Sequence, residues 1–300
     1  MSDLEIRGIL AAVVTPFTAD GSAIDEDNLR GQVDRLVEAG IHALVPTGST
    51  GEFASLSLDE HKRVIELYVE AAAGRVPVIA GIGGLTNQIT IELAKHAKQV
   101  GADALMVVPP FYEPLGFEDV KFFLSSVSDA TDLPIVYYNI PGITGAKLSP
   151  AELAELGAEI ENVKYMKDTS GDAVALADLL ASRGDSIKAF NGWDTLTFVG
   201  IASGAQASVW GAAGIVPDQA VELWNVLGEK GDLVAGRALW AKLWRLADFL
   251  ESVNYIAGVK AGLELIGAPA GPPRLPARPL SDEKRAELKE ILDAIGVQTV

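Results

Sequence analysis

The sequence predicts a (β/α)8 barrel followed by a C-terminal helical appendix. Three observations carry this. Eight short apolar runs alternate with longer amphipathic stretches. The runs are rich in Val, Ile and Ala with little polar alternation, as parallel strands buried on both faces are. No GxGxxG fingerprint opens a helix, as a dinucleotide-binding open sheet would require.

In chain order the runs are Ile9–Val14, Ala43–Val45, Val76–Ile82, Ala104–Val108, Ile135–Tyr138, Val163–Met166, Ile187–Phe190 and Ala207–Trp210. Between them lie the helical patterns Asp25–Ala39, Leu58–Ala73, Gln88–Val100, Phe117–Ala130, Pro150–Leu156 and Val174–Ala181. Strand and helix signals in alternation point to a closed barrel. A weak internal echo supports it: "AGIHALV", "VGADALMVV" and "SGAQASVW" each put a glycine where a helix ends and a strand begins, which suits a helix C-cap. After Gly228 only helical patterns remain: Asp232–Ser252, Ile256–Ile266 and Ser281–Ile295, with Ser281 placed to cap the last. "GAPAGPPRLPARPL" interrupts them. The expected organisation is a barrel over residues 1–228 that carries the active site, and a helical region over 229–300.

Composition narrows the function. The net charge of −17 disfavours nucleic acid and anionic membrane surfaces as partners. The absence of cysteine removes disulfides, thiolate catalysis and zinc–thiolate sites. His42, His61 and His96 are far apart and form no ligand motif, so no metal and no cofactor are expected. The acidic, polar start MSDLEIRG does not read as a signal peptide, and no apolar run reaches the roughly 18 residues that span a bilayer. A cytoplasmic enzyme is the expectation.

Barrel enzymes carry their chemistry where strands end and loops begin, at the carboxyl face. Three such places are unusually polar here. The second strand runs into "PTGSTGEF", where Gly48 and Gly51 permit a tight turn and Ser49 and Thr50 add hydroxyls beside exposed N–H groups. Such a nest suits a carboxylate, and the same letters suit an ordinary glycine-rich turn. The fifth strand ends in "IVYYNIPGITG". The Tyr138 phenol there is placed to move protons, or to bond a backbone group as a core tyrosine does. The sixth strand ends in "VKYMKDTSGD". Alternation puts Val163, Tyr165 and Lys167 on one face, and Lys164 and Met166 on the other. A lysine pointing into a dry barrel is either paired, here to Asp168 or Asp172, or a neutral nucleophile.

Taken together these segments resemble the dihydrodipicolinate synthase / N-acetylneuraminate lyase family of class I aldolases. The matching pieces are "TPFTADGSAID", "GSTGEFASLSLDEH", "PPFYEP", "YYNIPGITGAKLS", "VKYMKDTSGD", "FNGWD" and "APAGPPRLPARPLS", in family order along almost the whole chain. The resemblance implies a Schiff base between Lys167 and a 2-oxo acid, with Tyr138 assisting dehydration and proton transfer. Thr50 would hydrogen-bond that tyrosine. Ser49 and the Thr50 backbone would hold the carboxylate. Tyr112 would enter the relay from a neighbouring subunit, and Val209 would offer its backbone carbonyl beside the keto acid. A homo-oligomer follows, a tetramer made of two dimers in the usual form of the family.

Within the family the resemblance leans toward the sugar-acid lyase branch. The lysine-pathway synthase has an arginine two residues after "YNxP", gripping the second substrate's carboxylate, and Ile143 stands there. Thr169 matches a pocket hydroxyl of the lyases. Gly192 and Asp194 of "GWDT" fall on the stretch that meets a polyol tail, although Thr195 replaces its second acidic residue and Gly211 falls where a serine is expected. Trp193 and Trp210 either shape the pocket or pack beneath its loops. The leading expectation is an aldolase that makes or cleaves a 4-hydroxy-2-oxo acid from a 2-oxo acid and an aldehyde. The alternatives are a 2-keto-3-deoxy sugar-acid dehydratase working through the same imine, the lysine-pathway synthase against which Ile143 counts, and a keto-acid-binding protein without turnover.

Overall fold

A computed structural model describes residues 5–300 of the chain. The first residues of the MSDLEIRG segment, 1–4, lie outside the described residues. Eight parallel strands form one sheet: β1 (Gly8–Ala12), β2 (Ala43–Val45), β3 (Ile79–Ile82), β4 (Ala104–Val107), β5 (Ile135–Asn139), β6 (Val163–Asp168), β7 (Lys188–Asn191) and β8 (Ala207–Trp210). Their order is β2-β1-β8-β7-β6-β5-β4-β3. A parallel bridge between Leu44 and Val78 joins the two ends and closes the barrel. This is the predicted (β/α)8 architecture. Val76 and Pro77, read as part of the third strand, precede it; proline has no N–H to give a ladder.

Helices alternate with the strands: α1 (Glu26–Glu38), α2 (Leu58–Ala72), α3 (Asn87–Val100), α4 (Phe117–Ser128), the single turn α5 (Pro141–Thr144), α6 (Pro150–Glu159), α7 (Ala173–Ser182), α8 (Thr197–Ala202) and α9 (Pro217–Leu223). The starts are set locally. Asp25, Ser57, Thr86, Ser149 and Asp172 each accept a backbone N–H of the first turn, and Ser57 and Ser149 close full capping boxes. The three echoed glycines, Gly40, Gly101 and Gly204, all adopt left-handed φ of 83° to 98°, as a chain leaving a helix for a strand requires.

Alternation along the strands sorts side chains into two layers. Leu10, Val45, Ile79, Met106, Val136, Tyr138, Tyr165, Phe190 and Val209 fill the barrel. Outward residues such as Leu105, Ile135, Tyr137 and Met166 pack with Phe123, Leu124, Leu153 and Leu179 of the helices. One residue departs from the expected alternation. Val163 does not share a face with Tyr165 and Lys167; it packs outward against the helices. The register explains this: Ile135 pairs with Val163, but Val136 pairs with Tyr165. The extra residue, exposed Lys164, is a β-bulge that shifts the phase of the strand.

Three helical turns escaped the sequence reading. α5 and α8 are too short for a 3.6-residue period to show, and α9 runs directly into a π-helical turn at Trp224–Glu229. Beyond lie α10 (Leu233–Ser252), α11 (Tyr255–Leu265) and α12 (Asp282–Ile295), the last capped by Ser281 as expected. Trp240, Leu243, Leu263, Leu288 and Leu292 of these helices pack into one core with Ile9, Leu44 and Trp210. The proline-rich segment between α11 and α12 folds back along the barrel mouth: Phe17 N–H donates to Ala270 O at 3.1 Å. No helix among the described residues is long and apolar enough to cross a membrane.

Candidate active site

A cavity of about 700 Å³ opens at the carboxyl ends of the strands. Its lining gathers most residues singled out from the sequence: Ser49, Thr50, Tyr138, Ile143, Lys167, Thr169, Gly192, Asp194 and Val209. Tyr112 is the exception. Its side chain is 83% exposed and lines no part of the cavity, whereas its neighbour Phe111 does, packed edge-on against Phe53 at 5.9 Å.

Lys167 is buried and reaches the cavity from β6. Tyr138 is its register partner on β5, and the Lys167 Nζ lies 4.2 Å from the centre of the phenol ring. Neither aspartate near it in sequence pairs with it. Asp168 points away and accepts from Asn139 Nδ2 at 2.8 Å and from the Ser170 hydroxyl at 3.1 Å, while Asp172 caps α7. Burial raises the pKa of Asp168 above the ordinary carboxylate value, against those hydrogen bonds. The Asn139–Asp168 bond therefore ties β5 to β6 one residue beyond the Tyr138–Lys167 pair.

Gly192 and Gly211 are required by close approach. A methyl group on Gly192 would fall 2.5 Å from Lys167 Cγ and from Thr169 Oγ1. One on Gly211 would fall 2.3 Å from the hydroxyl of Tyr255. That tyrosine comes from the start of α11 and donates to Asp194 Oδ2 at 2.6 Å. Burial raises the Asp194 carboxyl to about 7, opposed by the Tyr255 hydrogen bond, with Glu251 adding to the rise and Lys167 opposing it. Trp210 lies near enough to act on Asp194, but its Nε1 closes no hydrogen bond and the ring packs in the core against Trp240. Trp193 lines the cavity, so the two tryptophans divide between the two roles considered for them.

The loop after β2 forms part of the wall. Thr50 is buried and Ser49 exposed toward the opening. Among the described residues no hydrogen bond joins the Thr50 and Tyr138 hydroxyls; the two line the same cavity. Ile143 sits at the mouth, 63% exposed, on the one-turn helix α5. The charged residues of the lining are Glu52, Lys167, Asp194 and Glu251, so Lys167 is the single basic group. Tyr255, Glu251, Phe53 and Phe111 were not anticipated. Phe53 and Phe111 fall inside the quoted segments "GSTGEFASLSLDEH" and "PPFYEP", but nothing in those letters marks them as lining, and the partners of Tyr255 and Glu251 lie on other elements. Among the described residues no three His, Asp or Glu side chains cluster as metal ligands.

A closed barrel with a buried lysine at the end of its sixth strand, beside a tyrosine in one mostly apolar cavity, marks the class: a lyase that works through a lysine Schiff base. The chain belongs to the dihydrodipicolinate synthetase family, whose model matches residues 5–295. It is similar to the 4-hydroxy-tetrahydrodipicolinate synthases of Methanopyrus kandleri, 35% identical over 98% of this chain and 97% of that one, and of Methanothrix thermoacetophila, 38% identical over 95% and 96%. Among solved structures it resembles the chloride-inhibited dihydrodipicolinate synthase of Acinetobacter baumannii in complex with pyruvate, with a TM-score of 0.93, 32% identity, and 98% and 100% of the two chains covered. It also resembles a prophage protein of the same family from E. coli in complex with pyruvate, with a TM-score of 0.93, 28% identity, and 98% and 100% covered. These names give no support to the expected lean toward the sugar-acid lyase branch.

Proposed function

We propose that Lys167 forms an imine with pyruvate or a related 2-oxo acid, and that the enzyme makes or breaks a carbon–carbon bond to an aldehyde lacking a carboxylate. The observation that carries this is the lining: Lys167 is its single basic side chain, and Ile143 occupies the place from which the family resemblance leads one to expect an arginine. The Lys167 amine attacks C2 of the keto acid, and loss of water leaves the imine. C3 then loses a proton to give an enamine that adds to the aldehyde; in reverse, the C3–C4 bond of a 4-hydroxy-2-oxo acid breaks. Tyr138 moves the protons, and the Ser49–Thr50 nest orients the carboxylate. Thr169, whose hydroxyl donates to Gly192 O at 3.1 Å, and Val209 complete the wall around the imine.

A second reading follows from the names of the relatives, which are 4-hydroxy-tetrahydrodipicolinate synthases. It requires a carboxylated aldehyde, aspartate semialdehyde, to lose its hydration beside Ile143. A charge-assisted pair would offset roughly 1.5–3 kcal/mol of that cost, and its lack weakens binding by about one to two orders of magnitude. Lys147, the nearest basic residue along that segment, is exposed and outside the lining. Aldehydes with and without a carboxylate should be compared by kcat/KM with pyruvate, together with cleavage of 4-hydroxy-2-oxo acids. Uncharged aldehydes should win, and Ile143→Arg should reverse the order. Efficient condensation of aspartate semialdehyde by the unaltered enzyme would establish the second reading. Water loss from 2-keto-3-deoxy acids without carbon–carbon cleavage would assign the dehydratase instead.

We further propose a homo-oligomer, with a tetramer as its form, in which Tyr112 serves a neighbouring subunit's cavity. Its 83% exposure beside the cavity-lining Phe111 supports this.

A further inference from the structure

The loop that forms the carboxylate nest is bracketed by two non-glycine residues in left-handed backbone, Thr47 with φ of 53° and Glu52 with φ of 60°. Such conformations persist only where the surroundings enforce them. Thr47 is held by its hydroxyl, which donates to Gly81 O at 2.8 Å. Glu52 is held by charge. Its carboxylate is buried, with Lys260 Nζ of α11 2.6 Å from Oε1 and the Arg274 N–H donating to Oε2 at 2.8 Å. Lys260 also donates to Pro272 O at 3.0 Å and lies 4.3 Å above the Phe17 ring. Both side chains of this pair are at most 2% exposed. Glu52 also lines the active-site cavity, directly after Thr50 and Gly51.

A buried ion pair is a weak source of stability compared with apolar packing of the same volume. This one joins two places 208 residues apart in the chain, Glu52 and Lys260. We infer that the Glu52–Lys260 pair is a positioning device for the keto-acid nest: it fixes Glu52 in left-handed backbone and so keeps the Ser49 and Thr50 donors aimed at a carboxylate. The inference rests on the reading that this nest holds the 2-oxo acid.

The test is borohydride trapping of the imine in intact enzyme, titrated with pyruvate and with methyl pyruvate, whose carboxyl is an uncharged ester. The double variant Glu52→Gln/Lys260→Met leaves no orphan charge buried. It should raise the half-saturating pyruvate concentration by about tenfold or more, as small misplacements of binding groups do. Labelling at saturation and the methyl pyruvate titration should change little. Glu52→Asp keeps the charge but draws it back from Lys260, and should show the same split if the double variant does not fold. An unchanged pyruvate titration in a folded variant, or equal weakening of both ketones, would overturn the proposal. Failure of the unaltered enzyme to trap pyruvate at all would instead remove the reading beneath it.

Discussion

Tyr138 and Lys167 stand side by side in the register of β5 and β6, with the lysine nitrogen 4.2 Å from the centre of the phenol ring. Two strands thus deliver the lysine and the phenol as one unit, and Asn139–Asp168, the next pair along, bond to each other at 2.8 Å.

The phenol moves protons in this account and does not anchor the keto acid. Tyr138→Phe should therefore lower kcat by roughly 10²–10⁴-fold while KM for the 2-oxo acid shifts little. Steady-state kinetics check it. A rise in KM with kcat retained would make Tyr138 a binding group.

The barrel was legible because its strands are buried on both faces and read as unbroken apolar runs, with glycines in left-handed conformations at the helix ends. Lys167 was legible because a charged residue at the end of such a run has few bland explanations. The phase of β6 was not legible: the bulge at Lys164 inserts one residue, and alternation counted from Val163 is then wrong by one. Tyr255 was not legible either. It sits at the start of an ordinary apolar helix, and its partner Asp194 is 61 residues away. Only folding shows that the space kept free at Gly211 is filled by its hydroxyl.

Asp194 gives the fold a pH dependence of known sign. Its carboxyl is raised from 3.8 to about 7, chiefly by burial, so the folded state binds a proton that the unfolded chain has released between those values. Its contribution to stability is full below about 4 and is lost as pH rises through about 7. Asp194→Asn should flatten that part of the melting curve against pH, with a relative gain of roughly 2–4 kcal/mol at pH 8 over its value at pH 4. Parallel curves for both proteins would mean that Asp194 is ionised throughout. Glu60 works in the opposite sense. The Arg274 hydrogen bonds lower it to about 2, so its support is present above the ordinary carboxylate range and is lost in acid.

If Tyr112 acts across an interface, mixed oligomers of Lys167→Ala and Tyr112→Phe subunits should recover activity that neither variant has alone. Mixing by unfolding and refolding, followed by assay, reads this directly. No recovery in verified hetero-oligomers would confine Tyr112 to its own subunit's surface.

Lys167 is the proposed nucleophile. Incubation with pyruvate and borohydride, followed by peptide mapping, should place one reduced pyruvate per chain on Lys167 and none on the Lys167→Ala variant. Labelling of another residue, or labelling that persists in Lys167→Ala, would contradict the assignment.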